Sequence, residues 1–264
     1  TNNMKTLIER TSDNLVKAFL KNKIIAPIPL KFSKKLSEAQ KLRKLCESKI
    51  NEPIIGFKAA GTGIPLIKKF KEKEPFYASV YKRNFLKSGK SVKVNNSTLG
   101  IELEVCYKIK KSFFISKNKV TMKNISKYIS HIATCIEIVG YRQRKKGITS
   151  FGDLCSDFGA NVKFLIGSKK KYKKLNVSNL KTKISNKKNN YNVDGNTNTV
   201  YINPLNSLRF VFKFLTLMLS NFFFLPIKNF TFAPKSLHKS PNDLIPFFLC
   251  LYPTISIQGA MCDI

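Results

Sequence analysis

At about residue 54 the chain leaves helical spacing for short runs rich in β-branched and aromatic residues, and this change constrains the fold more than any other feature. "PIIGFKAAG", "PFYASVYK", "KSVKV", "GIELEVCYKI" and "ANVKFLIG" read as strands, separated by Gly and Lys/Asn turns. Upstream, "LIERTSDNLVKAFL" (7–20) sets Leu7, Ile8, Leu15, Ala18 and Phe19 at helical spacing. "LSEAQKLRKLCESKI" (36–50) repeats that pattern with Leu36, Ala39, Leu42 and Leu45. The Pro-broken "APIPLKFS" connects these two predicted helices. Residues 1–50 are therefore expected to form a helical segment packed on the core, and residues 51–264 a larger, strand-rich domain.

Later segments are more mixed. "NISKYISHIATCIEIVGYR" (124–142) starts with helical spacing and passes into a strand at "CIEIVG". Residues 169–200 are polar, with Val177, Leu180, Lys183 and Ile184 suggesting exposed strands around an Asp194-Gly195 turn. Arg209, Lys213, Asn221 and Pro226 interrupt the apolar run at 205–227, which favours a buried amphipathic helix followed by a strand over a membrane span. "LIPFFLCLYPTISI" (244–257) fits buried strands, and no internal repeat is visible.

The formal charge of +33 invites a nucleic-acid or membrane-surface role. Its make-up argues otherwise. Only six of the 48 basic residues are arginine, and the 42 lysines are scattered over the whole length. Base and phosphate recognition favours the planar fork of arginine, whereas abundant Lys, Asn, Ile and Phe follow from A/T-rich codon usage. No specific nucleic-acid partner and no membrane partner is expected. Cys46, Cys106, Cys135, Cys155, Cys250 and Cys262 have no paired spacing and suit buried free thiols in a reducing, cytoplasmic setting. The acidic residues among the first twenty do not suit a secretory signal.

Against this charge, "GIELEV" places two of only fifteen acidic residues in an apolar strand. Alternate strand residues share a face, so Glu102 and Glu104 project together. "CIEIVG" adds Glu137, again a lone acid among apolar neighbours. Buried unpaired carboxylates are costly, and a divalent cation with oxygen ligands, Mg²⁺ or Mn²⁺, would account for all three. Alternatively, the pair faces solvent and is matched by lysines; strand alternation does not separate the two.

"LSEAQKLRKLCESKINEPIIGFKAAGT", "EPFYASVYKRNFLKSG", "GIELEVCYKI", "CIEIVGYR", "DLCSDFGANVKFLIG" and "NPLNSLRFVFKFL" follow one another in an order that resembles the fumarylacetoacetate hydrolase superfamily. The similarity is to its 2-keto-4-pentenoate hydratase / 4-oxalocrotonate decarboxylase branch, over roughly 36–220 and more weakly beyond. The resemblance implies an α+β fold, a mixed and strongly curled β-sheet roll with N-terminal helices beside it. It implies Glu102, Glu104 and Glu137 as Mg²⁺ (or Mn²⁺) ligands, and Lys58 facing a substrate carboxylate and oxo group. Asp157 and Asn161 fall in a pocket loop, in catalytic and substrate-binding roles, although "DFG" equally suits a plain turn. A small 2-oxo acid is the implied partner, and homo-oligomers are common in the family.

The departures are specific. Tyr81, Lys82 and Arg83 stand where many relatives carry an acid, Ile202-Asn203-Pro204 replaces Gly-His-Pro, and "NFTFAPKS" (229–236) replaces a strand ending Thr-Gly. The expected activity is a Mg²⁺-dependent lyase, either a hydratase or a decarboxylase of 2-oxo or 2-hydroxydienoic acids. A catalytically decayed relict or binding protein of the same fold is the alternative. An acylpyruvate-type C–C hydrolase ranks lower, because His131 and His238 form no evident His-Glu pair.

Overall fold

The computed structural model describes residues 5–72, 74–86, 89–90, 98–110, 112–113, 119–144, 149–174, 176–186, 191–200, 204–223 and 246–249. The first helix, α1 (Leu7–Lys21), opens with a capping box: Thr6 and Glu9 satisfy each other's backbone N–H groups. Its buried face carries Leu15, Val16, Ala18 and Phe19. The predicted plain connection holds a further short helix, α2 (Leu30–Lys34), which begins after Pro29 and buries Phe32. Proline at the cap withholds no N–H that the first turn needs, and the apolar Phe32 gives that turn a face to bury. Then comes α3 (Leu36–Lys49), whose Leu42 and Cys46 pack with Leu15, Phe19 and Phe32 against Tyr81 and Phe158.

β1 (Ile54–Ala60) pairs antiparallel with β2 (Phe76–Tyr81), with α4 (Ile64–Phe70) between them in sequence. Buried Arg43 ties the helices to this ribbon. Its guanidinium lies 4.4 Å over the Tyr77 ring and donates to Glu47 at 2.9 Å, while Glu47 accepts the Ser79 N–H at 3.1 Å. Among the described residues the largest sheet has six strands, in the order β10-β4-β5-β6-β3 with β7 beside β5. These are β3 (Phe85–Leu86), β4 (Thr98–Ile109), β5 (Ile129–Gly140), β6 (Asn161–Ile166), β7 (Lys170–Lys171) and β10 (Pro246–Leu249). β3 runs parallel to β6 and the other pairs are antiparallel, so the sheet is mixed. The α+β class, with N-terminal helices and curled, open sheets, is the one expected.

Two expectations are corrected. β5 starts at Ile129, so "SHIAT" is strand, and only a 3₁₀ turn at Ile125–Tyr128 keeps the helical promise. Cross-strand pairing with β4 from Ile129 onward outweighs local spacing. Asp194-Gly195 is not a turn. It lies inside β9 (Tyr191–Asn196), opposite Lys183 and Thr182 of β8 (Lys181–Asn186), and the intervening residues 187–190 lie outside the described ones.

After the short α5 (Phe151–Ser156), the last helix among the described residues, α6 (Pro204–Phe223), matches the predicted amphipathic one. Its Phe212 stacks on Phe113 at 4.2 Å, in a core shared with Phe57, Tyr107 and Ile109. Among the described residues no helix is long and apolar enough to cross a membrane. The expected strand at 91–94, the strand after α6, Asn203, residues 229–236, His238, Cys250, Cys262 and all of 244–257 but β10 lie outside the described residues.

Candidate metal centre

Period-two alternation builds the site. On β4, Leu103, Val105 and Tyr107 point one way, the last two into the core beneath α6. Glu102, Glu104 and Cys106 therefore share the opposite face. β5 runs antiparallel alongside and sets Glu137 directly across from Glu102, and Cys135 across from Glu104. One carboxylate oxygen from each of Glu102, Glu104 and Glu137 lies within 4.8 Å of the others. The three residues are only 6%, 2% and 0% exposed, which excludes the solvent-facing placement that alternation left open.

The β1–β2 ribbon closes over this face. Lys58, itself 2% exposed, extends from β1, and its Nζ donates to Glu137 Oε1 at 2.5 Å and to the Gly159 carbonyl at 3.1 Å. Asn161, at the start of β6, donates its Nδ2 to the same Glu137 Oε1 at 2.8 Å. The structure thus brings together Glu102, Glu104, Glu137, Lys58 and Asn161.

Asp157 is placed differently. Its carboxylate accepts from the Arg142 backbone N–H at 2.7 Å and from Arg142 Nη1 at 2.8 Å. Arg142 Nη2 in turn donates to the Asn161 carbonyl, and the guanidinium lies 5.0 Å from the Phe19 ring and 5.4 Å from the Phe158 ring. The buried Arg142–Asp157 pair therefore clamps both ends of the segment 157–161. Within that segment Phe158, Gly159 and Ala160 all have positive φ, at 53°, 67° and 58°. A left-handed backbone costs a residue with a Cβ about 1–2 kcal/mol, so the clamp has real strain to hold. Gly159 has a second reason to be glycine: a Cβ there would lie 3.1 Å from Ala60 Cβ and 3.5 Å from the Lys58 stem.

Neither Arg142 nor Gly159 was identified from sequence. A signal for Arg142 did exist: in a chain where lysine is the default cation, an arginine two residues past an apolar strand implies a need for its planar fork.

The donor set suits a hard divalent cation. If ionised, the three carboxylates and Lys58 carry a formal charge of −2, which such a cation cancels. Oxygens on opposite sides of a Mg²⁺ or Ca²⁺ ion stand about 4–5 Å apart, so three oxygens within 4.8 Å of one another can share one ion. The neighbouring thiols are poor competitors as ligands: burial, and then lesser effects including the nearby Glu104, pushes Cys106 and Cys135 well up, so both stay protonated at neutral pH. Burial likewise raises the Tyr141 hydroxyl, with Asp157 and Glu102 adding to the effect.

Fold and site together define an α+β protein whose curled sheets enclose a buried three-carboxylate cluster able to hold a cation. Its fold is that of 4-oxalocrotonate decarboxylase from Pseudomonas putida G7. The structure of that enzyme complexed with magnesium and adipate superimposes with a TM-score of 0.67, at 15% identity over 82% of this chain and 84% of the other. The same enzyme complexed with calcium and acetate gives 0.66 at the same identity and coverage. No family model matches the chain, and no curated protein matches it in sequence.

Proposed function

We propose that the chain is a divalent-cation-dependent lyase of the fumarylacetoacetate hydrolase superfamily, acting on 2-oxo or 2-hydroxydienoic acids in the manner of 4-oxalocrotonate decarboxylase or 2-keto-4-pentenoate hydratase. The observation that carries this reading is the convergence of three buried carboxylates within 4.8 Å, with a buried lysine on one of them. Glu102, Glu104 and Glu137 hold the cation, Mg²⁺ or Mn²⁺. When bound it supplies Lewis acidity toward the oxygens of a 2-oxo acid.

The chain's own residues do the rest. Lys58 offers a positive charge to the substrate carboxylate. Asn161 fixes the rotamer of Glu137 through their hydrogen bond, a supporting contact of the kind that tunes a ligand's orientation. Asp157 acts as a positioning residue, through Arg142, on the turn that carries Gly159 and Asn161. Burial of these groups between the β1–β2 ribbon and the curled sheet limits water and strengthens each charge interaction.

Lyase chemistry is favoured over hydrolysis because the one histidine among the described residues, His131, sits six residues before Glu137 on β5, about 20 Å along an extended strand. The burial of all three acids on one face also favours an active site over a relict. Three like charges on one buried face, with a single lysine beside them, oppose folding less when a divalent cation is bound. The test is incubation with 4-oxalocrotonate and with 2-hydroxypenta-2,4-dienoate in the presence of Mg²⁺, following CO₂ release and hydration respectively. One of the two reactions, lost in Glu104→Ala, supports the proposal; inertness toward both overturns it.

A further inference from the structure

The Lys58 ammonium lies between two acceptors of different kinds. One is Glu137 Oε1 at 2.5 Å, a group counted above among the cation ligands; the other is the Gly159 carbonyl at 3.1 Å. The second acceptor is held in place at some cost. Three consecutive left-handed residues aim it, the Arg142–Asp157 pair pins the turn, and the Ala160 N–H closes it onto the Asp157 carbonyl at 2.8 Å. A backbone carbonyl so fixed gives the ammonium a neutral resting place within reach of its present one.

An ammonium and a divalent cation on the same carboxylate repel each other, most strongly where water is excluded. We propose that Lys58 is the resident counter-ion of the three carboxylates, and that its ammonium shifts from Glu137 toward the Gly159 carbonyl as a divalent cation is taken up. Metal occupancy thereby frees the lysine for the carboxylate of an incoming 2-oxo acid, so metal binds before substrate. The inference rests on the metal-binding reading above and adds to it an order of binding and a movable charge.

The experiment is calorimetric titration of Mn²⁺ into wild type, Lys58→Gln, Lys58→Met and Glu104→Ala, each checked for folding by circular dichroism. Removing the competing charge should tighten Mn²⁺ binding at least tenfold in both Lys58 variants. Gln retains a hydrogen-bond donor to Glu137, so charge is separated from hydrogen bonding. A parallel measurement uses wild type alone: acetylation of Lys58 by an amine-reactive ester, read by peptide mass spectrometry, should speed up at least threefold when Mn²⁺ is added. That measurement decides the matter if the Lys58 variants do not fold. Unchanged or weaker Mn²⁺ binding in the variants, or unchanged Lys58 labelling, overturns the inference while leaving metal binding intact. Failure of wild type to bind Mn²⁺ overturns the metal reading itself.

Discussion

Removing the charge of Arg142 tests whether the 157–161 turn is clamped as described. The Arg142 side chain is 7% exposed and that of Asp157 fully buried, at 2.8 Å from each other. Breaking such a pair by deleting one partner typically costs about 3–5 kcal/mol, because the other charge stays buried and uncompensated. Arg142→Met keeps most of the apolar stem against Phe19 and Phe158, so the loss falls on charge and hydrogen bonds. The donor to the Asn161 carbonyl is lost as well, a further ~1 kcal/mol. At about 2–4 °C per kcal/mol for a chain of this size, the melting temperature should drop by roughly 8–24 °C in a thermal melt followed by circular dichroism. Asp157→Asn should show a drop of similar origin. The double variant should cost less than the two singles combined, by about 1–3 kcal/mol. Single losses below about 1 kcal/mol, or strict additivity, would refute the clamp.

Glu104→Gln should weaken Mn²⁺ binding by about 100-fold or more while raising the metal-free melting temperature, since one of three crowded like charges is removed; a lower metal-free melting temperature contradicts the crowding. Stability should decline above about pH 9. Burial pushes Cys46 up to about 12 and Cys155 up to about 11; the unfolded chain releases these protons first, so the folded state loses ground as pH rises from 9 toward 12. Melts across that range, repeated on Cys46→Ala, should show a shallower decline in the variant. Gly152→Ala should destabilise by about 1–3 kcal/mol, because a Cβ there would run into the Ser33 carbonyl and push α2 away from Phe151–Ser156; denaturant titration reads the change.

The sequence reveals what is local and periodic. The i, i+2 placement of Glu102 and Glu104 in an apolar strand already implied a shared face, and the order of motifs implied the sheet architecture that was found. Burial of that face was not legible, because it depends on the β1–β2 ribbon folding over β4 and β5, a contact between residues as distant as Lys58 and Glu137. The start of β5 was misread for the same reason: His131 and Ile132 fit a helix by spacing, yet pair with Lys108 and Tyr107 across the sheet. α2 was hidden by its prolines, which mark a broken connection as readily as a helix start. The left-handed turn at 158–160 was least visible, since Phe158 and Ala160 are not residues that favour positive φ. The buried Arg142–Asp157 pair and the Lys58 bond to the Gly159 carbonyl hold it from distant parts of the chain, and the Ala160 bond to the Asp157 carbonyl closes it.

The proposed function depends on one divalent ion touching three side chains. Crystals grown with Mn²⁺ and measured at the manganese absorption edge would locate it without reference to activity. A single anomalous peak within coordination distance of Glu102, Glu104 and Glu137 is the predicted result. Diffraction from the same crystals with no peak among those carboxylates would contradict it.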